Sequence, residues 1–277
     1  MTVTDAPLEG LADQDGEPDD RGGLTSVKKA LRLLDAFREA GPVAGVSELA
    51  RLTGLPKSTA FRLLSQLATS GFLDRVGTDY SLSGYLFELG NLAPMCDSGG
   101  LRAIAAPYLG ELFLHGRYVA HLAVLDGSDV LYLDKIQGRS GVRIPTRVGA
   151  RIPASCSALG KAMLPFGHRG AIERILQEGL SVRTRHSIAA PGLFVAELQQ
   201  VVKHGVAFDR EEAALGLTCV AAPVLHRGVA VAAISLSGPT GRFDPAALAK
   251  KVESAAAEIA VQYAQQAQTS RRGTPAR

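Results

Sequence analysis

Residues 46–67 read VSELARLTGLPKSTAFRLLSQL, two short helices joined by a tight turn. Ser47 is a good N-cap for the first, because its hydroxyl can accept from a free N–H of the opening turn. Glu48, Leu49, Ala50 and Leu52 fill that helix. Gly54 falls where the chain must turn, in the left-handed conformation that ends a helix without Cβ strain. Pro56 suits the first turn of the second helix, where a missing N–H costs little. Ala60, Leu63, Leu64 and Leu67 then recur at helical spacing as a buried stripe. The other face carries Lys57, Ser58, Thr59, Arg62 and Gln66.

A helical hairpin with a solvated polar face would satisfy that stretch alone. The flanking sequence narrows the choice. FLDRV (72–76) and YSL (80–82) alternate apolar and polar residues around the turn GTD, which predicts a β-hairpin carrying Arg75. TSVKKALRLLDAFRE (25–39) supplies a preceding helix capped by Thr25 or Ser26, with Val27, Ala30, Leu31, Leu34 and Phe37 on one face. A helix, a helix–turn–helix and a hairpin in that order make a winged helix. Its second helix, basic and rich in hydroxyls at its start, suits a DNA major groove, and Arg75 on the wing can reach a phosphate or the minor groove. Lys57, Ser58, Thr59, Arg62, Gln66 and Arg75 are therefore the candidate DNA contacts.

At 277 residues, 46% hydrophobic, the chain has material for about two domains. It has no apolar run of roughly 18 residues, the length a membrane span needs. Nor does it begin with a basic stretch and an apolar block, so the expectation is a cytoplasmic protein with no membrane partner. Cys96, Cys156 and Cys219 are far apart, without metal-ligand spacing, and fit a reducing compartment. The absence of Trp argues against a stacking platform for single strands. The net charge of +3 is unevenly spread. Residues 1–20 hold seven acids and no Lys or Arg, so 1–23 is read as a disordered acidic arm. Residues 21–97 hold nine basic and seven acidic residues, a weak surplus for a DNA binder that oligomerisation would have to multiply. Residues 98–277, with 21 basic and 13 acidic, are the more basic part.

After the winged helix (24–84), GYLFELGNLAPMCD (84–97) reads as a helix linking two domains, within a linker at 85–98. A second domain spans 99–267, followed by a disordered tail at 268–277. Its pattern is a helix at 101–115, strands YVAHLAVLD and DVLYLDKIQ, helices at 157–166, 168–178 and 191–204, and strands LTCVAAPVL and VAVAAISLS around the turn HRG. A helix at 244–266 closes it, capped by Asp244 with Pro245 first. The expected architecture is α+β, an antiparallel sheet with flanking helices of GAF or profilin-like type. Such domains bind small ligands more often than they catalyse.

The chain resembles the IclR family of transcriptional regulators from about Leu24 to Gln265. SVKKALRLLDAF and ELARLTGLPKSTAFRLLSQLATSGFL match its DNA-binding pattern. RVGARIPASCSALGKAML resembles the stretch ending in an A-x-G-K-A helix, GVAFDREEAALGLTCVAAPV the effector-binding segment, and AAISLSGP the last core strand. The resemblance implies a regulator that binds double-stranded operator DNA as a homodimer or dimer of dimers, needs no cofactor or metal, and responds to a small organic acid. It places the effector against Asp209, Cys219, Ser235 and Ser237, and against the backbone amides of Ala158 and Leu159 at a helix start. The chemistry suits that role. Ser235 and Ser237, two apart on a strand, face one side, and a helix N-terminus favours a carboxylate. Asp209 would repel a carboxylate unless it is protonated or accepts a hydroxyl. Each residue also has a plainer reading: a core cysteine, a solvent-facing serine, a solvated charge run at 209–212. The run Arg139, Arg143, Arg147 and Arg151 reads as loop and strand-edge charge, and Lys161 carries no assigned role. The alternative from another class is an enzyme using Cys219 as nucleophile. A thiol nucleophile needs a base in hydrogen-bond reach, and no motif fixes a histidine there, His226 lying past a turn from it.

Overall fold

The computed structural model describes residues 24–93, 100–138, 144, 146–168 and 170–272. The acidic arm, Cys96, Arg139, Arg143 and residues 273–277 lie outside them. The chain divides between Gly90 and Asn91 into two compact units.

The first unit runs α1 (Ser26–Ala40), β1 (Val43–Ala44), α2 (Val46–Thr53), α3 (Lys57–Thr69), β2 (Leu73–Val76), β3 (Asp79–Leu82) and α4 (Gly84–Asn91). Leu33, Phe37, Leu49, Leu64, Leu73 and Tyr80 form its core. Thr25 caps α1 by accepting from the Lys28 N–H. Of the expected α1 stripe, Ala30, Leu34 and Phe37 pack on the core and the other two residues do not. Val27 and Leu31 are 68% and 59% exposed, and the buried face runs through Leu33 and Phe37 with Ala36 and Ala40 beside it. Spacings of three and four allow either stripe. The N-cap of α2 is Gly45, not Ser47, which is exposed one residue inside the helix. The two-residue strand β1, too short to predict, pairs with β3 (Val43↔Ser81, Ala44↔Tyr80) and feeds directly into α2. Gly54 ends α2 at φ +68°. Pro56 stands one residue before α3, its carbonyl accepting from Ala60 N at 2.9 Å. The helix expected over 84–97 is described only to Asn91, and 94–99 lie outside the described residues.

The second unit runs α5 (Leu101–Leu114), β4 (Val119–Asp126), β5 (Asp129–Ile136), β6 (Arg151–Pro153), α6 (Ala158–Met163), α7 (Ala171–Glu178), α8 (Pro191–His204), β7 (Ala207–Arg210), β8 (Leu217–His226), β9 (Val229–Pro239) and α9 (Pro245–Arg272). Its antiparallel sheet has the order β6-β5-β4-β9-β8-β7. One face carries Leu122, Val220, Ile234 and Leu236 against α5 and α9; the other carries Ala123, Ala221 and Ala233 in a core shared with α6, α7 and α8. Both faces are covered, so β8 reads as a continuous apolar run. The HRG turn has Arg227 and Gly228 at φ +54° and +80°, the paired left-handed residues of a two-residue hairpin.

Two expected helices are shorter than predicted. Ser157 caps α6 and leaves it six residues long, with a 3-10 turn from Leu164 to Phe166 after it; α7 begins at Ala171. The last helix is longer. Asp244 caps it through Ala246 N and Ala247 N, and it continues to Arg272, taking in residues 268–272 of the expected tail. The strands β6 and β7 were not predicted. Both lie at sheet edges and are rich in charged or small residues. The fold is α+β, a winged helix and an antiparallel sheet with flanking helices.

Candidate functional site

In the first unit the α3 face is open. Lys57, Ser58, Arg62 and Gln66 are exposed and Thr59 is half-buried, while Ala60, Leu63 and Leu64 hold the helix to the core. Arg75 is exposed on β2 but does not splay outward. One Nη donates to Ser65 Oγ of α3 at 3.1 Å, and its guanidinium lies 5.1 Å from the Tyr80 ring centroid. The wing arginine is thus fixed beside the exposed helix, adding its charge to the face that carries Arg62.

In the second unit Ala158, Leu159, Asp209, Cys219, Ser235 and Ser237 all line one cavity of about 680 Å³, its open mouth included. Strand register explains the convergence. Asp209 pairs with Cys219 and Cys219 with Ser237, so these three form a row across β7, β8 and β9. Ser235, two residues along β9, pairs with His121 of β4. Asp209 and Ser235 are each 1% exposed. The charge run at 209–212 is therefore no solvated loop: its first residue is a buried strand residue. Asp209 Oδ1 accepts from Glu212 N (2.7 Å) and Ala213 N (3.4 Å). Burial foremost, with the neighbouring Glu212 carboxylate adding to it, raises the Asp209 pKa to about 6 against the pull of those N–H groups and Lys161.

Three lining residues carried no signal in the sequence. His121 is a lone histidine in an apolar strand. Its Nε2 lies 2.8 Å from Thr146 Oγ1, its Nδ1 3.5 Å from Ser235 Oγ, and its ring is tilted against Tyr132. Burial, aided by the Lys135 charge, lowers its pKa to about 3, so it is neutral at pH 7. Burial likewise pushes the Tyr132 phenol up. Arg183, on the segment before α8, completes the rim.

Cys219 is the reverse of a catalytic thiol. Burial and the Asp209 charge raise its pKa well above the ordinary value, whereas a nucleophile needs the thiolate stabilised. His226, the candidate base, instead packs against Tyr263 of α9. Lys161, left without a role by the sequence, is a fully buried residue of α6. Its Nζ donates to Glu212 Oε1 at 2.6 Å and lies 3.6 Å from Glu197 Oε1.

Residues 26–77 match the IclR helix-turn-helix domain, and residues 94–261 match the family model described as bacterial transcriptional regulator IclR C-terminal. The chain belongs to the IclR family. KdgR of Dickeya chrysanthemi, an HTH-type transcriptional regulator, is 34% identical over 237 residues, 84% of this chain and 76% of its own. The transcriptional repressor IclR of Escherichia coli (strain K12) is 33% identical over 229 residues, 80% of this chain and 82% of its own. Among solved structures, the Thermotoga maritima IclR superposes with a TM-score of 0.71 at 27% identity, over 86% of this chain and 98% of its own. An IclR homolog from Microbacterium hydrocarbonoxydans, complexed with 4-hydroxybenzoate, shares the fold with a TM-score of 0.79 at 24% identity, over 86% and 99%. The protein is a DNA-binding transcriptional regulator and not an enzyme. Among the described residues no cluster of His, Cys, Asp or Glu is placed to hold a metal ion, and no helix is long and apolar enough to cross a membrane.

Proposed function

We propose that this regulator reads double-stranded operator DNA in the major groove with Lys57, Ser58, Thr59, Arg62 and Gln66, Arg75 supporting from the wing, and that a small organic acid in the C-terminal cavity controls that binding. The reading is of a cytoplasmic homodimer, assembling further into a dimer of dimers through its C-terminal part. The observation that carries the effector half is the convergence of six residues from α6, β7, β8 and β9 on one cavity. The DNA half is supported by an exposed polar α3 on a small apolar core. The dimer is supported by the small charge surplus of residues 21–97 and by the apolar Val27 and Leu31 that α1 leaves in solvent. One recognition helix reads few base pairs; a two-fold pair reads two half-sites.

Arg62→Ala is expected to weaken binding to a selected high-affinity duplex by about 1–3 kcal/mol per half-site if Arg62 reads a base. Against phosphate alone, the loss would be equal on all sequences and the salt dependence shallower. Titrations should compare a duplex with two inverted half-sites and a duplex with one. A dimer loses the contact twice on the first and once on the second. Equal losses would count against the dimer, and unchanged affinity with unchanged salt slope would remove Arg62 from the interface.

The effector half is tested by linkage. A ligand shifts DNA affinity only by its differential affinity for the free and DNA-bound protein, and the factor is reciprocal. For an acid found by thermal-shift screening of small carboxylates, operator DNA should change acid affinity as much as the acid changes DNA affinity. Cys219→Ala and Ser237→Ala should each weaken the acid by roughly 0.5–1.5 kcal/mol, the worth of one hydrogen bond, with unliganded DNA binding nearly intact. Lost DNA binding with normal acid affinity would show that the row across β7, β8 and β9 holds the fold and not the effector.

A further inference from the structure

The two arginines that line the cavity differ in what holds them. Arg151 is in an ion pair with Asp126. The Arg183 side chain, among the described residues, makes one hydrogen bond, from Nε to the Ala213 carbonyl at 3.2 Å, and no ion pair; its backbone N–H donates to Ser187 Oγ at 3.0 Å. Its Nη donors are therefore left over. The anchor of that bond is itself rigid. Thr184 Oγ1 donates to the Glu211 carbonyl (2.6 Å) and Ser187 Oγ to the Glu212 carbonyl (2.8 Å), so three successive carbonyls each take a donor from residues 183–187. From beneath, Asp209 takes the N–H groups of Glu212 and Ala213. Arg183 is thus fixed on the cavity rim with free donors and an uncompensated charge. That charge acts inward: it opposes the rise in pKa of Tyr132 on the cavity wall and of Cys156 beside it.

The rest of the wall offers a carboxylate hydrogen-bond donors but, among the described residues, no unpaired cation. His121 is neutral, Asp209 is a carboxyl group, and the serines and thiol are uncharged. The start of α6 is weaker than its sequence suggests, because Ser157 Oγ already takes the Gly160 N–H (2.9 Å) and the helix is six residues long. Lys161 is paired and buried.

We propose that Arg183 receives the effector's carboxylate at the rim and so fixes its orientation, the uncharged end lying toward Ser235, Ser237 and His121. This rests on the organic-acid reading above. It also narrows the ligand class to a monocarboxylic acid with a neutral hydrogen-bonding group at the far end. A second carboxylate there would meet the Asp209 carboxyl, while a hydroxyl or carbonyl would find Asp209 as acceptor or the serines as donors. A guanidinium with two free Nη groups suits the carboxylate because it can offer paired N–H donors.

The test is calorimetric binding of acetate, pyruvate, lactate and benzoate, each against its amide, to the full chain and to Arg183→Gln and Arg183→Lys. The wild type should prefer at least one acid over its amide by about tenfold, the scale of a charge-assisted hydrogen bond. Arg183→Gln should reduce that preference to about twofold or less, and Arg183→Lys, which keeps the charge, should retain most of it. An acid preference that survives in Arg183→Gln overturns the role of Arg183 and leaves the organic-acid reading standing. Loss in both variants assigns Arg183 to holding Ala213 in place and overturns it equally. If the wild type binds none of the acids, or prefers none to its amide, the organic-acid reading falls and this inference with it.

Discussion

Lys161→Met is expected to lower the stability of the C-terminal unit by about 3–5 kcal/mol, the cost of leaving a buried charge without its partner. Lys161 is 0% exposed and its ammonium bonds Glu212 Oε1 at 2.6 Å. The second Glu212 oxygen is buried with no partner among the described residues. Without Lys161, the Glu212 carboxyl would be left in the interior without its cation, at a cost whether it stays charged or takes up a proton. It also lies near Asp209, whose carboxyl already feels it. Glu197, 3.6 Å from the ammonium and partly exposed, can return to solvent and adds little. The double variant Lys161→Met with Glu212→Gln should recover much of the loss, because replacing both members of a buried pair is far less costly than removing one. Urea unfolding of the full chain, following the transition of the C-terminal unit, measures both. A single variant within 1 kcal/mol of the wild type, or a double variant no better than the single, would show that the pair is not a compensated buried charge.

The sequence made the winged helix legible because its signals are local. Gly54 needs a left-handed turn, the apolar stripe of α3 recurs within one helix, and only two residues separate the hairpin's strands. Where two local solutions were equally good, the tertiary context chose. The stripe of α1 holds Ala30, Leu34 and Phe37 either way and could be completed by Val27 and Leu31 or by Leu33; only the packing of α2 and α3 decides. Ser47 is an acceptable cap by type, but β1 already sets the entry to α2 and Gly45 takes the position. The cavity was legible to the extent that it rests on period-two alternation and on motifs: Ser235 and Ser237 share a face, and Asp209, Cys219 and the start of α6 stood in recognisable stretches. His121, Tyr132 and Arg183 were not, because each reaches the cavity from an element distant in sequence. A single polar residue in an apolar strand, or one arginine in a loop, has no periodicity to betray it. β7 was hidden for a related reason: a four-residue edge strand ending in Asp209 and Arg210 looks like a charged turn.

The A-x-G-K stretch holds a second residue whose role only the structure reveals. Gly160→Ala is expected to destabilise the C-terminal unit by about 3 kcal/mol, the upper range for overpacking a tight site. Propensity alone argues the opposite, since alanine in place of glycine inside a helix is worth about 1 kcal/mol. Sterics decide the sign. A Cβ at Gly160 would overlap the carbonyl oxygen of Ala154 and lie 2.6 Å from its carbonyl carbon. That neighbour is backbone of the 3-10 turn from Ala154 to Cys156, in a fully buried stretch, and cannot swing aside as a side chain can. Gly160 has no positive φ, so close approach, not conformational freedom, is what requires glycine here. Relief would need α6 to lift away from the turn, carrying Ala158 and Leu159 out of the cavity wall, so ligand affinity should fall together with stability. Gly110→Ala is the control: Gly110 lies inside α5 with nothing within 4 Å of its would-be Cβ. That change should be neutral or stabilising by up to about 1 kcal/mol. Thermal melts of the two variants should move apart, Gly160→Ala downward by roughly 6–12 °C at the usual scaling for a unit of this size. A rise in both would mean that the Ala154 turn yields, and that helix propensity rather than the close contact governs the start of α6.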